Sequence, residues 1–190
     1  MYLVSGDSKA WAISANNGRI KWKIDASGND TNLISNNAPA TSKKYAVFGF
    51  GNGEIYTTFK KGGYVLWSSS LSGRNDGRVI SAIDDIVASP VIVGRNVFVA
   101  DGSGKVVSLK VESGERNWTA PFGSSGNLWV AGKSLFFISN TNHLVRLKIK
   151  TGDVVWMTEL PSFSKKRFGG SKKIIRHYGP IIAGNQIVLA

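Results

Sequence analysis

Short apolar runs separated by clusters of Gly, Asn, Asp and Ser recur along the whole chain, which is the signature of short strands joined by tight turns. The stretch from Pro90 to Thr119 shows the unit best. Pro90-Val91-Ile92-Val93 reads as a first strand, Gly94-Arg95-Asn96 as a turn, Val97 to Ala100 as a second strand and Lys105 to Lys110 as a third. Glu112-Ser113-Gly114 then reads as a hairpin and Arg116 to Thr119 as a fourth strand.

The unit repeats. Four segments close alike, at Gly18 to Trp22, Gly63 to Trp67, Gly114 to Trp118 and Gly152 to Trp156, and the Trp residues are spaced by 45, 51 and 38. An apolar strand precedes each Trp by a constant offset, around Tyr2, Val47, Phe98 and Phe136, and a small or polar turn follows it. Self-similarity at roughly 40 to 50 residues with four strands per unit predicts an all-β chain of β-propeller blades. About four blades are present, with units ending near Trp22, Trp67, Trp118 and Trp156 and the start of a further blade at 177–190. Glycine supplies the positive φ of each hairpin, and the Trp offers an apolar face to the neighbouring blade.

Met1 begins at a second strand and Pro180 to Ala190 repeats the first two strands of a blade, so the two ends overlap by one strand. This predicts about half of a longer propeller, with a closed four-bladed ring as the alternative. An open arc would leave apolar blade faces uncovered, so self-association is an expectation.

Composition changes this picture little. The chain has 190 residues, 42% hydrophobic and 11% aromatic, ordinary for a folded domain. No apolar run approaches the roughly 18 to 20 residues that cross a bilayer as a helix. There is no cysteine, hence no disulfide or thiolate metal site within these residues. The 24 Lys and Arg against 12 Asp and Glu give a net charge of +12, which favours anionic surfaces.

Candidate chemistry is confined to the linkers. Lys165, Lys166, Arg167, Lys172, Lys173 and Arg176 lie together without an acid, in what reads as a long loop between blades; the cluster is either an anionic-lipid contact or a solvated tip. Asp84 and Asp85 form an adjacent acidic pair, and Leu33-Ile34 stands in a polar stretch with no strand to join. Nucleic-acid binding is not expected, because only Phe163 and Phe168 accompany the basic cluster. His143 and His177 have no second ligand at metal spacing, and no catalytic triad or paired carboxylates in a pocket can be named.

The Gly-x-x-x-Trp hairpins resemble the PQQ-like β-propeller repeat. Ile80 to Val91, Gly104 to Leu109, Trp129 to Gly132 with Trp156 to Pro161, and Tyr178-Gly179-Pro180 are similar to the BamB family of outer-membrane protein assembly lipoproteins, in its alphaproteobacterial form. The resemblance implies an eight-bladed, non-catalytic propeller without cofactor, anchored by lipid at the periplasmic face of the outer membrane. There it would bind BamA within the barrel-assembly complex and assist insertion of barrel proteins. By motif position the BamA contacts would come from the segments before Ala38-Pro39 and Ser89-Pro90, with Leu33, Ile34, Asn36, Asp84 and Asp85 as candidates. Ile34 stands where the enterobacterial pattern has a basic residue. The alternative is another PQQ-type envelope protein that binds a partner or polymer through its basic face. A quinoprotein dehydrogenase of the same repeat type is less expected, since it would need a calcium-binding acid and Asn and commonly carries a vicinal disulfide.

Overall fold

A computed structural model describes residues 1–26, 37–71, 88–102, 104–124, 126–163, 174–184 and 186–190. The described residues form strands and no helix. Three four-stranded antiparallel sheets follow chain order: β4(Ala40–Thr41), β5(Tyr45–Gly49), β6(Glu54–Phe59) and β7(Val65–Ser70); β8(Val91–Val93), β9(Asn96–Ala100), β10(Val106–Lys110) and β11(Arg116–Ala120); β12(Trp129–Ala131), β13(Ser134–Ile138), β14(His143–Lys148) and β15(Val154–Glu159). A three-stranded sheet, β1(Tyr2–Val4), β2(Lys9–Ile13) and β3(Ile20–Asp25), precedes them, and a hairpin, β16(Ile181–Ala183) with β17(Gln186–Val188), follows. The all-β blades expected from the sequence are therefore present. In the β8–β11 blade the strand boundaries shift by one residue at most from the sequence reading: Pro90, which has no N–H to donate, stays outside β8, and Asn96 joins β9.

Alternation along the strands decides what each blade buries. In β9, Val97 and Val99 join Val107, Leu109, Val47 and Ile55 on one side, while Phe98 and Ala100 join Trp118, Leu135, Phe137 and Val145 on the other. Ala10 and Ile24 meet Ala46, Phe48 and Phe50 between the first two sheets. The cores thus lie between blades, and each fully buried Val, Leu or Phe contributes roughly 1.5–3 kcal/mol.

The hairpin Trp residues clamp these interfaces. Trp22, Trp67 and Trp118 each donate from Nε1 to a backbone carbonyl in the next blade's hairpin, Lys60 at 3.2 Å, Val111 at 3.0 Å and Ile149 at 3.1 Å. Their rings lie flush on Gly63, Gly114 and Gly152, where a Cβ would sit 2.6 to 2.7 Å from the indole. A bulge precedes every Trp: Ala12 pairs with Trp22 but Ile13 with Ile20, and the register slips likewise at Leu66, Asn117 and Val155. The extra residue re-aims the indole towards the next blade.

The meander gives each blade two rims. On one rim the first turn and the outer hairpin lie side by side, since Lys60 N donates to Lys44 O, Val111 N to Arg95 O and Ile149 N to Lys133 O. On the other, the end of the fourth strand bonds to the turn between the second and third strands: Ala26 N to Ser8 O, Leu71 N to Gly53 O and Leu160 N to Asn142 O. We call these the hairpin rim and the crossing rim.

Candidate partner-docking rim

In the described residues the chain leaves one blade and re-enters the next on the crossing rim. Two of these crossings are pinned to each other. The backbone N–H of Ala38 donates to Ser89 Oγ at 3.0 Å across 51 residues. Asn37 and Ala88, which adjoin this bond, are buried. The segments nominated for partner binding, those before Ala38-Pro39 and Ser89-Pro90, thus re-enter the fold side by side. Leu33, Ile34, Asn36, Asp84 and Asp85 themselves lie outside the described residues, as do Lys165, Lys166, Arg167, Lys172 and Lys173.

Arg176 is described and exposed. It lines an open groove with Asn142, Phe163, Ile174, His177 and Tyr178. The groove is held by the turn beneath it: Asn142 Nδ2 donates to Leu160 O at 2.9 Å and to Ser162 Oγ at 3.0 Å. Ile175 N donates to Ser162 O, and His177 Nε2 donates to Pro161 O at 2.8 Å. His177 therefore works as a tie within the linker. His143 begins β14, and its Nδ1 lies 2.8 Å from Thr141 O.

The tight turns of this rim are set by polar side chains that the sequence reading passed over. Asp101 is fully buried, and its Oδ1 accepts from Gly104 N at 2.8 Å and Lys105 N at 2.7 Å. Its Oδ2 has no donor among the described residues. Next to it, Ser124 is buried and donates to Ile138 O at 2.8 Å, and Asn140 Nδ2 donates to Gly102 O at 2.7 Å. The signal was an Asp opening an Asp-Gly-Ser-Gly turn, which favours self-bonding turns. In the first blade the hydrogen bonds from Lys9 and then Ser5 hold the Asp7 carboxyl below the usual carboxylate range. Among the described residues no group of three or more His, Cys, Asp or Glu is placed to hold a metal ion.

Antiparallel four-stranded blades, joined through one loop-bearing rim and clamped by hairpin Trp residues, define a β-propeller of the PQQ-like repeat type. Over residues 1–158 the chain matches the family described as Outer membrane protein assembly factor BamB, and it belongs to that family. It is 26% identical over 119 residues to the BamB of Moranella endobia, which covers 63% of this chain and 31% of that protein. The matched part makes up 26% to 32% of the length of the curated BamB proteins. Among solved structures, BamB of Moraxella catarrhalis superposes with a TM-score of 0.74 at 14% identity, covering 100% of this chain and 60% of that one. The repeat is shared more widely: the quinoprotein alcohol dehydrogenase PedH of Pseudomonas putida is 30% identical over 129 residues, 64% of this chain and 21% of the enzyme.

Proposed function

We propose that this chain forms blades of a non-catalytic scaffold subunit of the outer-membrane β-barrel assembly machinery, one that docks on BamA through the crossing rim and assists insertion of barrel proteins. The observation that carries this reading is the family match over residues 1–158. The Ala38–Ser89 bond supports the choice of rim, because it pins the ends of two crossings to each other where they re-enter the blades. The docking residues are Leu33, Ile34, Asn36, Asp84 and Asp85, with the acidic pair accepting hydrogen bonds or an Arg from the partner. The location implied is the periplasmic face of the outer membrane, and the ring implied is eight-bladed.

Reversing the acidic pair tests this. In the full-length protein, Asp84→Arg with Asp85→Arg should abolish capture of the periplasmic domains of BamA while leaving thermal unfolding unchanged. Capture at the native level by a folded variant would sink the reading. The likeness to PedH supports a second reading, a quinoprotein, which predicts a quinone absorbance band in the purified full-length protein after reconstitution with calcium.

A further inference from the structure

The hairpin rim takes no part in the crossings between blades, and it carries most of the uncompensated charge of the described residues. Each first turn presents a basic residue at the same structural place: Lys44, Arg95 and Lys133, whose carbonyls accept the equivalent hydrogen bond from the outer hairpin in three successive blades. All three side chains are exposed and enter no ion pair among the described residues. Arg19, Lys43, Lys61 and Lys150, on the same turns and hairpins, are exposed too. The acids of these turns are Glu112, Glu115 and Asp153, and two of them are already engaged: Glu115 with Lys110 at 2.7 Å and Asp153 with Lys148 at 3.5 Å.

Apolar tips stand between the cations. Tyr64 in the second hairpin is 75% exposed and Ile20 is 62% exposed; Phe59, Val65 and Val154 are exposed at the same level of their strands. Lys61 and Lys133 edge shallow open clefts between hairpins, and basic side chains interspersed with single exposed aromatic and aliphatic tips match the headgroup layer of a membrane. There Lys and Arg meet phosphates, while Tyr and Ile settle among the glycerol and upper acyl groups. A nucleic-acid site would instead stack bases on several aromatics along a channel.

We propose that the hairpin rim is a docking surface for an anionic phospholipid bilayer, with Lys44, Arg95 and Lys133 as its repeating contacts and Tyr64 as its interfacial anchor. The crossing rim, on the opposite side of the blades, stays free for a protein partner. This does not depend on which partner the crossing rim takes, and it assigns lipid contact to residues other than Lys165, Lys166 and Arg167.

The test is co-sedimentation of the 190-residue chain with vesicles of phosphatidylcholine alone or with about one third phosphatidylglycerol. The expected result is binding only to the anionic vesicles, weakened by salt. A Lys44→Gln, Arg95→Gln, Lys133→Gln variant should lose about a hundredfold in partitioning, at about fivefold per cation. A Lys165→Gln, Lys166→Gln, Arg167→Gln variant should bind as the native chain does. Unfolding midpoints of both variants check that the fold is intact, and Lys43→Gln, Lys61→Gln, Lys150→Gln provides a second rim variant. The proposal is overturned if the loop variant loses binding and the rim variants keep it, if neutral vesicles bind equally, or if duplex DNA is captured in a rim-dependent way and vesicles are not.

Discussion

The indole of Trp118 rests directly on the backbone of Gly152 in the next blade, leaving a Cβ at that position only 2.6 Å from the ring. Gly152 also has φ of +76°, so two separate constraints exclude a side chain there. Gly18 shares the backbone conformation, at φ +69°, but has nothing within 4 Å of its Cβ position. The pair separates conformational strain from blade docking. Gly18→Ala should cost about 1 kcal/mol, the penalty of the left-handed region. Gly152→Ala should cost about 2–4 kcal/mol, because the Trp must also lift from its seat. Urea unfolding followed by Trp fluorescence compares the two, and equal costs would show that the stacking carries no energy.

This seat also marks where sequence reading stops. The Gly-x-x-x-Trp hairpin was legible because it is local: a turn glycine and an outer-strand Trp are neighbours in the chain, and the blade strands around Phe98 follow from simple alternation. The identity of the partner was not, since Trp118 reaches Ile149 and Gly152, more than thirty residues away, through a bulge at Asn117 that no apolar pattern announces. Asp101 was missed for the opposite reason: a charged residue in a Gly-rich turn reads as exposed, whereas it is buried and its carbonyl accepts from Ser124 N of the following crossing. Of the candidate site residues, Arg176 alone falls within the described part of the chain.

Asp153 gives a pH prediction. Its carboxyl is held below the ordinary range, first by the hydroxyl of Thr151, which donates to Oδ2 at 2.7 Å, and then by the charge of Lys148. A depressed folded-state pKa stabilises the fold above the unfolded pKa, about 3.9, and that contribution disappears as pH falls through the folded value. Thr151→Val should therefore raise the Asp153 pKa towards the unfolded value. It should leave the pH dependence of stability unchanged above about pH 5 and flatten it on the acid side. Carboxyl chemical shifts titrated by NMR read this directly, and an unmoved Asp153 would refute the assignment.

The Ala38–Ser89 bond predicts a local effect distinct from global stability. Removing the hydroxyl in Ser89→Ala leaves the Ala38 N–H without its partner at a partly solvated site, worth about 0.5–1.5 kcal/mol. Amide exchange at Ala38 should speed up by about threefold to tenfold, whereas Ser89→Thr should preserve protection. If the two crossings form one docking surface, capture of BamA should weaken in Ser89→Ala by a similar factor and recover in Ser89→Thr. Faster exchange with unchanged capture would separate the pinning from partner binding.

Asp101 combines a necessary acceptor with a stranded one. Oδ1 closes the turn by accepting from both Gly104 and Lys105, while Oδ2 is buried without a donor among the described residues. The first role needs only an oxygen at that position, and the second places an unpaired acceptor of a charged group in the interior, which is unfavourable. Asp101→Asn keeps the turn acceptor but places amide N–H donors where Oδ2 was, so it should destabilise by at most about 1 kcal/mol, less than removal of the acceptor. Asp101→Ala removes the acceptor and strands two turn N–H groups, so it should destabilise by about 1–3 kcal/mol. Chemical denaturation of the two variants decides the matter. An Asn variant as unstable as the Ala variant would refute the view that the turn needs only an oxygen at Oδ1.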